Sequence, residues 1–135
     1  NGAGMYDYND KGRRVRLWPG LGEIWPRAVP GPGVAEVTER LRLAQVLEAV
    51  RALEDGVLED IRAGDVGAIL GWGFMPWSGG PFSWIDRVGA AEAVARARDL
   101  EARHGARFAP PAPPVEMAER GERFYERFAP EARAA

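Results

Sequence analysis

The stretch whose reading decides the fold is Val34–Asp55, VAEVTERLRLAQVLEAVRALED. Val37, Leu41, Ala44, Leu47, Val50 and Leu53 recur at steps of three and four, the repeat of a single helix face. Glu36 and Arg40 stand four apart, a spacing at which opposite charges support an exposed helical surface. Gly56 follows where a helix-ending glycine belongs. A long helix of this kind, with no matching run of strict alternation, predicts an all-α domain.

Toward the C-terminus the pattern repeats in shorter pieces. Asp65 is expected to cap a helix running to Gly71. Pro81 suits the first position of another that extends to Gly89. The segment from Ala90 to His104 turns Val94, Ala97 and Leu100 inward and arginines outward, and Gly105 closes it. Residues 107–114, RFAPPAPP, read as a stiff extended spacer. A last helix is expected over Val115–Arg120, followed by Gly121 and by Phe124 and Tyr125.

Toward the N-terminus, residues 1–33 read as an irregular arm, and residues 34–135 as the helical domain. Asn9, Asp10, Lys11 and Gly12 make a turn. Arg13–Leu17 reads equally as a short strand or extended coil. From Pro19 to Gly33, four prolines with interspersed glycines are expected to forbid a helix. Leu17, Trp18, Leu21, Ile24 and Trp25 are too apolar for a free linker, so the arm is expected to lie as a strap across the helical body. The chain opens at Asn1 without an initiator methionine and is read as a piece of a larger protein.

Between the middle helices lies the densest aromatic stretch, residues 71–86, GWGFMPWSGGPFSWID. Glycine and proline there supply turns, while Trp72, Phe74, Trp77, Phe82 and Trp84 supply apolar area. A phosphate-cradling glycine loop needs a preceding strand and, in its stronger form, a following Gly-Lys-Ser/Thr, and neither is present. The five aromatics are therefore expected to pack within the domain or against a neighbouring one.

The totals narrow the function classes. A chain of 135 residues is one domain in size. Its net charge of −2 excludes a strongly basic nucleic-acid binder. No apolar run reaches the roughly 20 residues that span a bilayer. There is no secretory signal, and with no cysteine a cytoplasmic location is expected. The absence of cysteine and the single histidine, His104, leave no zinc site and no convincing Ser-His-Asp set. His104 is expected to face the dipole at a helix end. Glu54, Asp55, Glu59, Asp60, Asp65 and Asp86 read as a solvated acidic face, and Arg13, Arg14 and Arg16 as solvated arm charges.

An ordered set of blocks carries a family resemblance: GMYDY at 4–8, LWP at 17–19, ERL at 39–41, EAVRALEDGV at 48–57 and DVGAILGWGF at 65–74. GGPF at 79–82, Ile85, Asp86 and Gly89, GARFAP at 105–110 and GERFY at 121–125 continue it over nearly the whole chain. The chain resembles the last C-terminal domain of 3-hydroxyacyl-CoA dehydrogenase in the multifunctional α-subunits of fatty-acid β-oxidation. The resemblance implies a helical domain like the C-terminal domain of 6-phosphogluconate dehydrogenase. It also implies a parent enzyme that oxidises (3S)-3-hydroxyacyl-CoA with NAD. The catalytic His–Glu pair and the dinucleotide loop belong to a Rossmann domain that this chain lacks, so the chain itself is expected to bind no NAD and to be inactive alone.

In the first helical domain of such proteins an Asn-Arg pair supplies a catalytic asparagine. Glu39 and Arg40 hold the analogous place here, and a carboxylate lacks the amide's donor. The resemblance therefore implies a buttressing role, with the preceding Rossmann and first helical domains as partners and acyl-CoA as the parent's substrate. Trp72, Phe74, Trp77, Phe82 and Trp84 are its candidate interdomain contacts. A self-associating fragment is a further expectation, and a stand-alone interaction or dimerisation module of the same fold is the rival reading.

Overall fold

A computed structural model describes residues 4–128. The first three residues of the expected arm and the last seven of the expected helical domain lie outside the described residues. The described chain is mostly helical, with one two-stranded sheet, and divides into two compact units that meet between Glu36 and Val37.

In the first unit, β1 (Tyr6–Tyr8) and β2 (Arg14–Leu17) form an antiparallel hairpin. The turn is built as its sequence requires: the Asn9 side chain accepts from the backbone N–H groups of Lys11 and Arg13. Arg16 pairs with Asp7 across the strands at 2.7 Å, and the Arg14 guanidinium lies over the Tyr6 ring. Arg13–Leu17 thus resolves into a strand over its last four residues. The expectation that Pro19–Gly33 excludes a helix is corrected by α1 (Leu21–Ile24). Six residues separate Pro19 from Pro26, enough for one turn closed by Trp25 N–H donating to the Leu21 carbonyl. Leu17, Trp18, Ile24 and Trp25 are exposed.

The long helix, α2 (Val34–Glu54), begins three residues before the second unit and runs on within it, and it stands where its sequence placed it. Its buried face is Leu43, Val46, Leu47 and Val50, however, and only the later part of the expected stripe belongs to it. Leu41 and Val50 are nine residues apart, two and a half turns, and therefore point to opposite sides. Leu41, Val37 and Ala44 are exposed.

The helix expected from Asp65 begins four residues earlier, as α3 (Ile61–Trp72). Its cap is Asp60, whose carboxylate accepts from the Arg62 backbone N–H at 2.8 Å. Gly73 ends α3 in the left-handed conformation. A 3-10 turn at Pro76–Ser78 leads to α4 (Pro81–Val88), opened by its proline as expected. The next helix, α5 (Ala90–His104), has the expected bounds, with Val94, Ala97 and Leu100 buried. The proline-rich spacer is corrected: a 3-10 turn at Ala106–Phe108 seats the Phe108 ring in the core, and α6 (Ala112–Arg120) already contains Pro113 and Pro114. First-turn prolines forfeit N–H groups that have no helical partner anyway. A final turn, α7 (Phe124–Arg127), completes the unit.

One apolar core joins these helices. Leu43, Val46, Leu47 and Val50 of α2 meet Phe82, Trp84 and Ile85 of α4, Ala97 and Leu100 of α5, Met117 of α6 and Phe124 of α7. Phe82 and Phe124 stand tilted at 5.2 Å between ring centroids, a favoured aromatic geometry.

Candidate functional site

The aromatic stretch divides into two parts. Phe74, Phe82 and Trp84 are core residues, whereas Trp72 and Trp77 are more than half exposed. The expectation that all five are interdomain contacts is therefore corrected for three of them, because Phe82 packs against Phe124 of α7, Trp84 lies under the Arg42 guanidinium of α2, and the turn after α3 folds Phe74 into the core. Only Trp72 and Trp77 keep surface to offer a neighbour.

What orders this stretch is Asp65, buried within α3. Its Oδ1 accepts from the Phe82 backbone N–H at 2.8 Å. Its Oδ2 accepts from the Ser83 N–H at 3.1 Å, the Ser83 hydroxyl at 2.6 Å and the Tyr125 phenol at 2.9 Å. A carboxylate at the first turn of a helix satisfies N–H groups that lack helical partners and meets the positive end of the helix dipole. Asp65 thus caps α4 from another element rather than starting its own helix. Burial pushes the Tyr125 phenol upward, and its bond to Asp65 adds to this against an opposing effect of Ser83.

Asp86 repeats the device one helix later. Its carboxylate accepts from the N–H groups of Phe124 at 2.6 Å and Tyr125 at 3.0 Å, pinning the start of α7. Three of the six carboxylates read as a solvated face, Asp60, Asp65 and Asp86, are therefore helix caps, while Glu54, Asp55 and Glu59 are exposed. Spacing could not reveal this for Asp65 and Asp86, whose capped N–H groups lie 17 and 38 residues away, whereas Asp60 caps a neighbour two residues on.

Glu39 sits among guanidinium groups. It accepts from Arg42, one turn on, and from Arg96 of α5 at 3.4 Å. The Arg96 bond to Glu92, and then that to Glu39, raise the Arg96 guanidinium against the opposing effect of burial. Arg42 also lies over the Trp84 ring, 5.7 Å from its centroid. The carboxylate ties α2 to α5, and an ionised one offers acceptors only. His104, in the last turn of α5 as expected, meets the Phe108 ring edge-on. Among the described residues, no three acidic or histidine side chains gather as metal ligands.

The feature that sequence reading missed is a groove. Ala44, Gln45, Glu48, Ala49 and Ala52 of α2 form its floor and Trp72 its wall, enclosing about 420 Å³. The Trp72 indole donates to the Gln45 side chain at 2.9 Å, which fixes the wall upright. The available signal was Ala44 and Ala52, small residues on the side of α2 away from Leu43, Val46 and Val50. No protein-family model matches the chain. No helix among the described residues is long and apolar enough to cross a membrane.

Proposed function

We propose that the chain is the second C-terminal helical domain of an NAD-dependent (3S)-3-hydroxyacyl-CoA dehydrogenase of fatty-acid β-oxidation. In this reading its fold is that of the 6-phosphogluconate-dehydrogenase C-terminal domain. It supports the catalytic domains of a longer polypeptide and does not catalyse alone. A histidine outside this chain takes the hydroxyl proton while hydride passes to NAD. Trp72 and Trp77 are the aromatic contacts it offers to the preceding domains.

The observation that carries the reading is the Asp65 hub. Three blocks of the resemblance, residues 65–74, 79–82 and 121–125, meet at one carboxylate, through the Phe82 N–H and the Tyr125 phenol. Blocks whose residues hold one another in place suit a domain that is retained for its shape. Glu39, held by two arginines, likewise suits a structural role.

The test is an assay of the isolated chain with acetoacetyl-CoA and NADH. The expected result is no NADH oxidation above the protein-free rate. Turnover at the rate of a complete dehydrogenase would overturn the reading.

A further inference from the structure

A second cavity, of about 600 Å³, opens in the second unit where the last turn of α4, the first turn of α5 and the end of α6 come together. Ala90, Ala91 and Ala118 give it apolar walls, and Asp86, Arg87, Glu122 and Arg123 bring charge to it. Two acids and two arginines would cancel if all four were free, but only the acids are already engaged. Both oxygens of the Asp86 carboxylate accept backbone N–H groups at the start of α7, from Phe124 at 2.6 Å and Tyr125 at 3.0 Å. The Glu122 carboxylate pairs with Arg127 at 3.5 Å and Arg120 at 3.9 Å. Glu92, in the first turn of α5, is held by Arg96 at 2.7 Å.

The arginines have no such counter-charge. Arg87 donates to the Trp77 backbone carbonyl at 3.1 Å, an uncharged acceptor that leaves its charge in place. The Arg123 side chain makes no ion pair or hydrogen bond among the described residues. We infer that this cavity binds a small phosphomonoester, its phosphate held by Arg87 and Arg123 and its apolar body lying on Ala91 and Ala118.

The chemistry of the walls selects that class of ligand. A phosphomonoester carries nearly two negative charges at neutral pH and three acceptor oxygens. Two guanidinium forks meet that demand, whereas a carboxylate would use only one of them. The first turn of α5, which no side chain caps, borders the cavity at Ala90 and favours the same charge. Ala91 and Ala118 also line an adjoining groove of about 230 Å³ with Ala95 and Val115, so an apolar group continues onto apolar surface. The volume lies within the range of small-molecule sites, about 300–1,000 Å³. The inference goes beyond the dehydrogenase reading and does not rest on it. Binding is measured without turnover, so either can fail alone.

The test is a titration of the chain with phenyl phosphate, followed by calorimetry and by amide resonances. Saturable binding is expected, with shifts at Ala90, Ala91, Gly121 and Arg123. Arg87→Gln and Arg123→Gln are each expected to weaken it about tenfold, with unchanged helical circular dichroism because both side chains are exposed. Arg123→Lys, which keeps the charge without the fork, should fall between. Arg27→Gln, an exposed arginine of the first unit, should change nothing. Inorganic phosphate is expected to bind more weakly than phenyl phosphate, and phenol not to bind. No saturation up to about 10 mM phenyl phosphate would overturn the proposal. So would an equal loss in Arg27→Gln, or binding indifferent to Arg87→Gln and Arg123→Gln together. Sedimentation with phosphatidic acid vesicles without binding of phenyl phosphate would overturn it in favour of a membrane source.

Discussion

Asp65 owes its influence to where its four hydrogen bonds end. Two are backbone N–H groups at the start of α4, and two are hydroxyls on separate elements. In Asp65→Asn the amide oxygen can keep the Ser83 and Tyr125 donors, but the amide nitrogen then faces the Phe82 N–H, from which it cannot accept. Leaving a buried donor unpaired costs about 1–3 kcal/mol, which is the expected loss, read from urea denaturation. Tyr125→Phe removes a single, partly exposed bond and is expected to cost about 1 kcal/mol. The two losses should combine to less than their sum, since they share the Oδ2 atom. Gly80 belongs to the same site. Its φ is +113°, and a Cβ there would lie 2.4 Å from the Asp65 Oδ1, so Gly80→Ala is expected to cost about 2 kcal/mol or more.

Asp60 provides a residue-level test in pH. Its bonds to the Arg62 side chain and backbone hold its carboxyl at about 2, below its ordinary 3.8. A carboxyl depressed on folding contributes stability above its unfolded value and loses it as pH falls through its folded value. Asp60→Asn keeps a capping oxygen without that titration. Denaturation midpoints of the two proteins should differ by a constant above pH 4. The difference should shrink between pH 4 and 2 as the parent loses its charged cap. A difference unchanged at pH 2 would remove the assigned role of Arg62.

At the scale of elements, α2 shows how a correct helix hides an incorrect face. Its sequence carries apolar residues on two sides, and steps of three and four can be threaded from one side to the other. Val37, Leu41 and Ala44 lie on the outer side, and Leu47 and Val50 on the inner. Burial by the partner helices decided between them, and no window of α2 alone contains that information. Leu43→Ala is expected to cost about 2–5 kcal/mol, the range for emptying a leucine site in a core, whereas Leu41→Ala should change the free energy of unfolding by under about 0.5 kcal/mol. Equal losses at the two positions would mean that the core lies elsewhere.

The helix bounds were most legible where proline or glycine fixed an end. Pro81 starts α4, while Gly89 and Gly105 bracket α5. They were least legible where proline was treated as a barrier throughout. Pro113 and Pro114 sit in the first turn of α6, and α1 fits between two prolines. Of the site, the aromatic stretch and its order were readable, since turn residues and ring counts are local. Its anchoring by Asp65 and the exposure of Trp72 and Trp77 depend on contacts distant in sequence.

For the whole molecule, the described helices form a core whose carboxylates are spent on caps and ion pairs. Asp60, Asp65 and Asp86 hold helix starts, and Glu39 links α2 to α5. Such a body fits the supporting domain of a larger dehydrogenase, in which the nucleotide and the proton-transferring histidine belong to other domains. The most direct measurement is the sequence of the reading frame immediately before Asn1. The dehydrogenase reading expects a continuous frame encoding a Rossmann segment with a G-x-G-x-x-G loop, followed by a first helical domain. A start codon directly ahead of Asn1, with no such segment in frame, would contradict it.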